Sequence, residues 1–165
     1  MRVKTGAVRK RAAMAGSAVL TLALAVCVLF VISNQASFTP PTFEPGAAVG
    51  VPQPPEILRY TRIDAGSFTF MIAGVLRQQE DGSLRIYFTN PEENDVYLMC
   101  EIFDADGEMI YRSGMLRPGE YVASLSPITI PGNEAVDIRI NIYALEPEVF
   151  FSAGTVALGN ILQPY

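Results

Sequence analysis

One uncharged, apolar run constrains this chain more than any other feature. It spans residues 12–32, and 18 of these 21 residues are apolar. At about 1.5 Å per residue, a helix of this length crosses a hydrocarbon core of about 30 Å. Arg9-Lys10-Arg11 precedes the run, and the uncharged Ser33-Asn34-Gln35 follows it. A basic flank on one side only predicts a cytoplasmic tail, residues 1–11, and an exported C-terminal part.

The run favours a signal anchor that stays in the membrane, because it is longer than the 7–15 apolar residues usual in a signal peptide. A cleaved signal peptide is the alternative, with its best site after Ser33, where Val31 replaces the expected small residue. Cys27 raises the question of lipid attachment, but Val26 precedes it and five more apolar residues follow. We interpret Cys27 as a membrane-buried side chain. We therefore expect a single-pass cell-membrane protein that contacts the bilayer through residues 12–32.

Residues 33–56 have the composition of a linker. Six of the twelve prolines of the chain fall there. Proline fixes φ and lacks a hydrogen-bond donor, so the segment should be extended and semi-rigid. We interpret it as a spacer that holds an exported domain, residues 57–165, away from the membrane. A disordered connector would give the same architecture.

From residue 57 onward, apolar residues alternate with polar ones, which is the period of a half-buried strand. No segment there shows a sustained 3.6-residue period. Turn sequences such as Asp106-Gly107 and Pro118-Gly119 separate the alternating runs. The runs predict about seven strands: Phe68–Arg77, Leu84–Thr89, Val96–Phe103, Glu108–Arg112, Tyr121–Ser126, Val136–Tyr143 and Thr155–Leu162.

Seven short strands with turns between them favour an all-β fold, an antiparallel sandwich of immunoglobulin-like type. Two features of many immunoglobulin domains are missing, the cysteine pair and the core tryptophan. Cys100 lies at an inward position of its predicted strand and has no partner cysteine in the domain. We interpret it as a small core residue.

Charge and composition argue against several functions. The chain has no His, a net charge of −5 and a pI near 4.7, and both lysines, Lys4 and Lys10, precede the apolar run. Nucleic-acid binding needs a basic patch, so we expect no nucleic-acid partner. Without His, Cys–His and Ser–His pairs are excluded, and one exported Cys gives zinc too few ligands. We expect no catalytic residue, no cofactor and no metal, and a protein that is not an enzyme.

Two acidic clusters leave alternatives open. Residues 104–108 partly resemble a calcium loop, but the Glu expected later in such a loop is missing, and a tight Asp-Gly hairpin also explains them. Residues 92–95 are interpreted as a solvated turn, with a weak cation site or a site for a basic partner as the alternative.

Outward-facing aromatic residues are the best candidates for a binding surface. They alternate with core residues on neighbouring predicted strands, and two adjacent Phe residues follow the last of these strands. The alternative is a second apolar layer that the linker or the two Phe residues cover. The candidate residues are Tyr87, Tyr97, Phe103, Tyr143, Phe150 and Phe151.

An Asn turn at residues 90–94, an Asp-Gly hairpin leading to Tyr111-Arg112-Ser113-Gly114, and a Pro118-Gly119 turn follow one another. This order resembles that of small sandwich ectodomains behind a single N-terminal membrane anchor in Gram-positive bacteria of the clostridial type. The resemblance covers about residues 66–160, and residues 133–137 depart from it. It implies an immunoglobulin-like accessory surface module without assigned catalysis.

We therefore expect a membrane-anchored, extracytoplasmic β-sandwich with a structural or protein-binding role at the bacterial cell envelope and an envelope protein as its partner. One alternative is a secreted module that binds a glycan or another ligand, with calcium as an aid. Another is a cleaved, secreted enzyme with an unusual carboxylate site.

Overall fold

A computed structural model describes residues 39–126 and 134–164 of the chain. Pro40–Tyr165 forms one compact unit. The predicted membrane span, 12–32, and the predicted cytoplasmic tail, 1–11, lie outside the described residues. Among the residues that are described, no helix has the length and apolar character needed to span a bilayer.

The described part of the chain is all-β, as the sequence predicts. Its one helical element is a short 3₁₀ helix, Glu56–Leu58. All seven predicted runs contain strands, and the structure adds two strands before them. The strands are β1 (Ala48–Val49), β2 (Tyr60–Asp64), β3 (Thr69–Ala73), β4 (Leu76–Gln78), β5 (Leu84–Asn90), β6 (Tyr97–Phe103), β7 (Met109–Arg112), β8 (Glu120–Leu125), β9 (Val136–Leu145) and β10 (Ser152–Gln163).

One predicted strand, Phe68–Arg77, is two strands in the structure. It breaks between β3 and β4, where the N–H groups of Gly74 and Val75 donate to the carbonyl oxygens of Arg59 and Leu58 at 3.2 and 3.1 Å. A Cβ at residue 74 would lie 3.0 Å from the carbonyl oxygen of Arg59, so this close approach suits glycine. The break lets β4 leave the line of β3 and reach a different neighbour.

The ten strands form one curled sheet in the order β1-β8-β5-β4-β10-β9-β6-β7, with β3 joining β2 to β5. Strand β4 pairs antiparallel with β5 and parallel with β10, and so links β5 and β8 to β10, β9 and β6. The other described strand pairs are antiparallel. The curled sheet is compatible with a β-sandwich, but it has ten strands where the sequence predicts about seven.

The main core follows the predicted period of two. Alternate residues on the inner faces of β5, β6 and β9 are at most 5% exposed. Full burial of such a side chain stabilises a fold by about 1.5–3 kcal/mol, so these strands dominate the stability of the domain. These residues are Leu84, Ile86, Phe88, Leu98, Cys100, Ile102, Ile138, Ile140 and Ile142.

Part of the segment interpreted as a linker, 33–56, packs on the strands. The carboxylate of Glu44 accepts hydrogen bonds from the N–H groups of Gly114 and Gly46 at 2.7 and 3.3 Å. Main-chain bonds join Glu44 N to Met115 O at 2.9 Å and Met115 N to Thr42 O at 2.8 Å. A few residues later, β1 pairs with β8. The compact unit therefore begins at Pro40, inside the predicted linker.

Substituting Gly114 tests this docking. A Cβ at residue 114 would lie 2.4 Å from the backbone nitrogen of Glu44, and that nitrogen is main chain and cannot swing away. We expect Gly114→Ala to cost about 1–3 kcal/mol, the usual cost of overpacking, and to expose residues 40–50 to protease. Urea unfolding and limited proteolysis measure both effects. Gly159→Ala is the control, because nothing lies within 4 Å of that position; equal stability and protection in both variants would contradict the docking.

Candidate binding surface

Strand β6 carries two buried faces. Its even-numbered residues point into the main core, and its odd-numbered residues point to the other side. On that outer side Met99 is 8% exposed and Glu101 is 6% exposed, so this face is covered. An aromatic cluster covers one end of it, and a hydrogen-bonded carboxylate group lies further along.

The aromatic cluster joins residues that are far apart in sequence. The ring of Phe43 meets Tyr97 edge-on, with the centroids 5.2 Å apart, and the ring of Phe150 has its centroid 6.3 Å from that of Tyr97. The guanidinium carbon of Arg117 lies 3.6 Å from the centroid of the Phe43 ring, within range of a cation–π contact. The aromatic cluster consists of buried Met99, Met115 and Leu145 with partly buried Phe43, Tyr97, Tyr143 and Phe150.

The structure brings three of the six candidate residues together in this cluster: Tyr97, Tyr143 and Phe150. Phe43, from the segment before the strands, and Phe150 both pack against Tyr97 in this cluster. The sequence signal missed Phe43, because it lies in a proline-rich stretch without strand alternation.

The other three candidates lie elsewhere. Phe103 stands at the far end of β6, where Arg139 of β9 lies over its ring at 4.8 Å. Tyr87 of β5 packs against the main core and has a φ of 49°, at an irregularity in the pairing of β5 with β8. Phe151 is 71% exposed. The six residues therefore do not form one continuous patch.

The turn between β9 and β10, residues 146–151, presents the exposed Phe151 on a defined backbone. The N–H of Phe150 donates to Glu146 O, and the N–H of Glu146 donates to Phe151 O, both at 2.9 Å. Glu148 and Phe150 have φ values of 68° and 57°. Phe150 packs in the aromatic cluster, while Val149 and Phe151 point to solvent. The turn thus holds two exposed apolar side chains with an inward anchor between them.

A buried carboxylate ties three strands together. One oxygen of Glu101 on β6 accepts from Arg112 Nε of β7 at 2.7 Å, and the other accepts from the Tyr143 hydroxyl of β9 at 2.8 Å. Burial raises the pKa of Tyr143 above its ordinary value, and the bond to Glu101 raises it further. The sequence marks Glu101 only as an outward position, because it contains no sign of what covers that position.

The acidic loop 92–95 is held by two kinds of contact. Glu93 forms an ion pair with Arg62 of β2. The side-chain oxygen of Asn94 accepts a hydrogen bond from the N–H of Thr69 at 3.0 Å. Its side-chain nitrogen donates to the carbonyl oxygen of Thr69 at 2.6 Å and to the side-chain oxygen of Asn90 at 2.7 Å. Asn90 is fully buried and donates in turn to the carbonyls of Val96 and Leu116. The loop is thus fixed to β3 by amide side chains.

The acidic cluster at 104–108 forms a tight turn between β6 and β7. One carboxylate oxygen of Asp104 accepts from the N–H groups of Asp106 and Glu108 at 3.0 and 2.9 Å, and Gly107 supplies a φ of 86°. This geometry agrees with an Asp-Gly hairpin. Across residues 39–126 and 134–164, no group of three or more acidic, Cys or His side chains is placed to hold a metal ion.

Cys100 lies in the main core, as expected for a small core residue. Burial is the main cause that raises the pKa of its thiol to about 12. The thiol is therefore protonated at neutral pH, which removes the nucleophilic form.

Comparisons with known proteins add no relative. No protein-family model matches the chain, and neither a curated protein nor a solved structure matches it.

Removing the charge of Glu101 tests its structural role. Glu101→Gln keeps the size of the side chain but leaves Arg112 without its carboxylate. Because the Arg112 side chain is 56% exposed, water can solvate its guanidinium and offset part of the lost ion-pair energy. We expect a loss of about 1–2 kcal/mol in the free energy of unfolding, measured by urea denaturation. Glu93→Gln breaks a solvent-exposed ion pair and should change stability much less; a reversed order of the two variants would contradict the assignment.

Proposed function

We propose that this chain is a membrane-anchored, extracytoplasmic binding protein of the bacterial cell envelope. Its exported domain would recognise another envelope protein through the turn at residues 146–151. A structural role at the envelope, without catalysis, follows from the same proposal. The observation that carries it is the exposed pair Val149 and Phe151 on a turn whose backbone is hydrogen-bonded.

Exposed aromatic residues on a fixed backbone suit protein recognition. A few residues, many of them aromatic, contribute most of the binding energy at many interfaces, and a preordered turn avoids the entropy cost of ordering on binding. Phe150 lies between the two exposed residues and packs beside Tyr97 in the aromatic cluster. Phe151 is 71% exposed, although its hydrophobicity favours burial.

The strand order supports the finer part of the proposal, an immunoglobulin-like sandwich. Strands β3, β5 and β8 pair in the order of strands A, B and E in an immunoglobulin domain, and β6, β9 and β10 pair in the order of C, F and G. In this assignment the short β4 continues strand A and crosses from the first group to the second.

The membrane location rests on the apolar run at residues 12–32. The three basic residues before it support a cytoplasmic N-terminus and an exported domain. The predicted linker begins at residue 33, and its residues from Pro40 onward belong to the compact unit. Only residues 33–39 therefore remain to connect the apolar run to that unit.

The variant Phe151→Ala tests recognition by the turn. The purified domain from Pro40 onward is immobilised and exposed to solubilised envelope proteins, and captured proteins are identified by mass spectrometry. We expect the variant to capture at least about tenfold less partner than the wild type, as for a central interface residue. Its melting temperature should be unchanged. Ile57→Ala is the matched control, because Ile57 is 68% exposed on a different part of the domain. Equal capture by both variants would rule the turn out.

A separate measurement tests the anchor. Cells that express the full chain with a C-terminal tag are fractionated, and the N-terminus of the tagged protein is determined. We expect an intact N-terminus in the membrane fraction that resists extraction with carbonate, because 21 apolar residues partition stably into the bilayer. A mature protein that begins at Asn34 would instead establish a cleaved signal peptide.

A further inference from the structure

Strand β10 leaves one of its edges open. Along its length it pairs with β9 on one side, but on the other side it pairs only with β4, at Leu162 and Gln163. At its opposite end, the Ser67 hydroxyl donates to Ala153 O at 3.3 Å. Between these two contacts, residues 155–160 meet no strand of the described chain on that edge.

The odd-numbered residues of β10 turn their main-chain groups toward the open edge. The N–H of Ile161 bonds to the side chain of Asn160 at 2.7 Å, so it faces away from β9. Alternate residues of a strand direct their N–H and C=O groups to the same edge. Thr155, Ala157 and Gly159 therefore present theirs there, and the open edge offers three donors and three acceptors.

This edge lacks the usual protection against pairing. Exposed edge strands commonly carry a charge, a proline or an added bulge that keeps other strands away. Strand β10 holds no charged residue and no proline, and the irregularity in its pairing with β9 lies between Ser152 and Gly154, before the open stretch. At the open edge its solvent-facing side chains are small, and nothing lies within 4 Å of a Cβ added at Gly159. Residues 155–160 therefore offer another strand a short accessible edge, bounded by β4 at one end and by Ser67 at the other.

We propose that this edge is the self-association surface of the protein, where β10 of one copy pairs antiparallel with β10 of a second copy. The two-fold axis passes through Ala157. Thr155 then lies opposite Gly159 of the second copy, and Ala157 lies opposite its own equivalent. This is the register that uses all three outward residues, and it forms about six main-chain hydrogen bonds.

Charges at the two ends of β10 favour a second copy as the occupant. The turn before the strand carries Glu146 and Glu148, and the other end lies beside Arg77, whose guanidinium donates to Gln163 at 3.1 Å. Antiparallel pairing brings the start of one strand to the end of the other. Glu146 and Glu148 of each copy thus approach Arg77 of its neighbour at both ends of the interface.

Charge exchange at residue 157 tests the proposal on the full chain. Two differently tagged copies are co-expressed, extracted in mild detergent and purified through one tag, and the amount of the other tag is measured. Two wild-type copies should co-purify. Two Ala157→Lys copies, or two Ala157→Glu copies, should co-purify at least about tenfold less, because like charges then face each other across the two-fold axis.

Co-expression of the two oppositely charged variants distinguishes contact at residue 157 from misfolding of the variants. Co-expression of Ala157→Lys with Ala157→Glu should restore co-purification, and only folded variants that meet at residue 157 can do so. Thr61→Lys, on the exposed strand β2, is the control and should leave co-purification unchanged. Absence of wild-type co-purification, insensitivity to the like-charge pairs, or no recovery in the mixed pair would each overturn the proposal. A different protein captured through this edge, without self-association, would also overturn it.

The experiment is independent of recognition by the turn at 146–151. It measures only whether two tagged copies of this chain associate, and capture by the turn is measured separately, so either proposal can fail while the other stands.

Discussion

The burial of β6 on both faces is the constraint on which the rest of the domain depends. One face, with Leu98 and Ile102, packs into the main core, and the other carries Met99 and Glu101. A strand with two buried faces needs a cover on each side. The curled sheet provides the first cover. The segment around Phe43 and the side chain of Phe150 provide the second, so residues before the first strand are part of the fold.

The polar side chains in the interior have structural partners. Glu101 joins β6, β7 and β9, Asn90 and Asn94 fix the loop before β6, and Glu44 holds the docked segment. In the described part of the chain, every buried side-chain nitrogen and oxygen has a hydrogen-bond partner. Since an unpaired buried polar group is costly, these contacts restrict the strands and turns to one arrangement.

Two surface features differ in the chemistry of the contact they offer. The turn at 146–151 offers apolar side chains, and the open edge of β10 offers main-chain donors and acceptors with almost no side-chain bulk. Both belong to the same strand pair, β9 and β10, which have the longest pairing in the domain. The hairpin of β9 and β10 therefore carries both features.

Sequence alone determined the all-β class, the approximate position of seven strands and the inward residues of β5, β6 and β9, because alternation is a local property of a half-buried strand. It also indicated Tyr97, Tyr143 and Phe150 as aromatic residues on outer positions. Only the tertiary structure decided that Phe43 covers them, that Glu101 meets Arg112 and Tyr143, and that the run at 68–77 divides into two strands. Those outcomes depend on contacts between residues distant in sequence, and local alternation does not encode which distant segment covers a face or leaves an edge open.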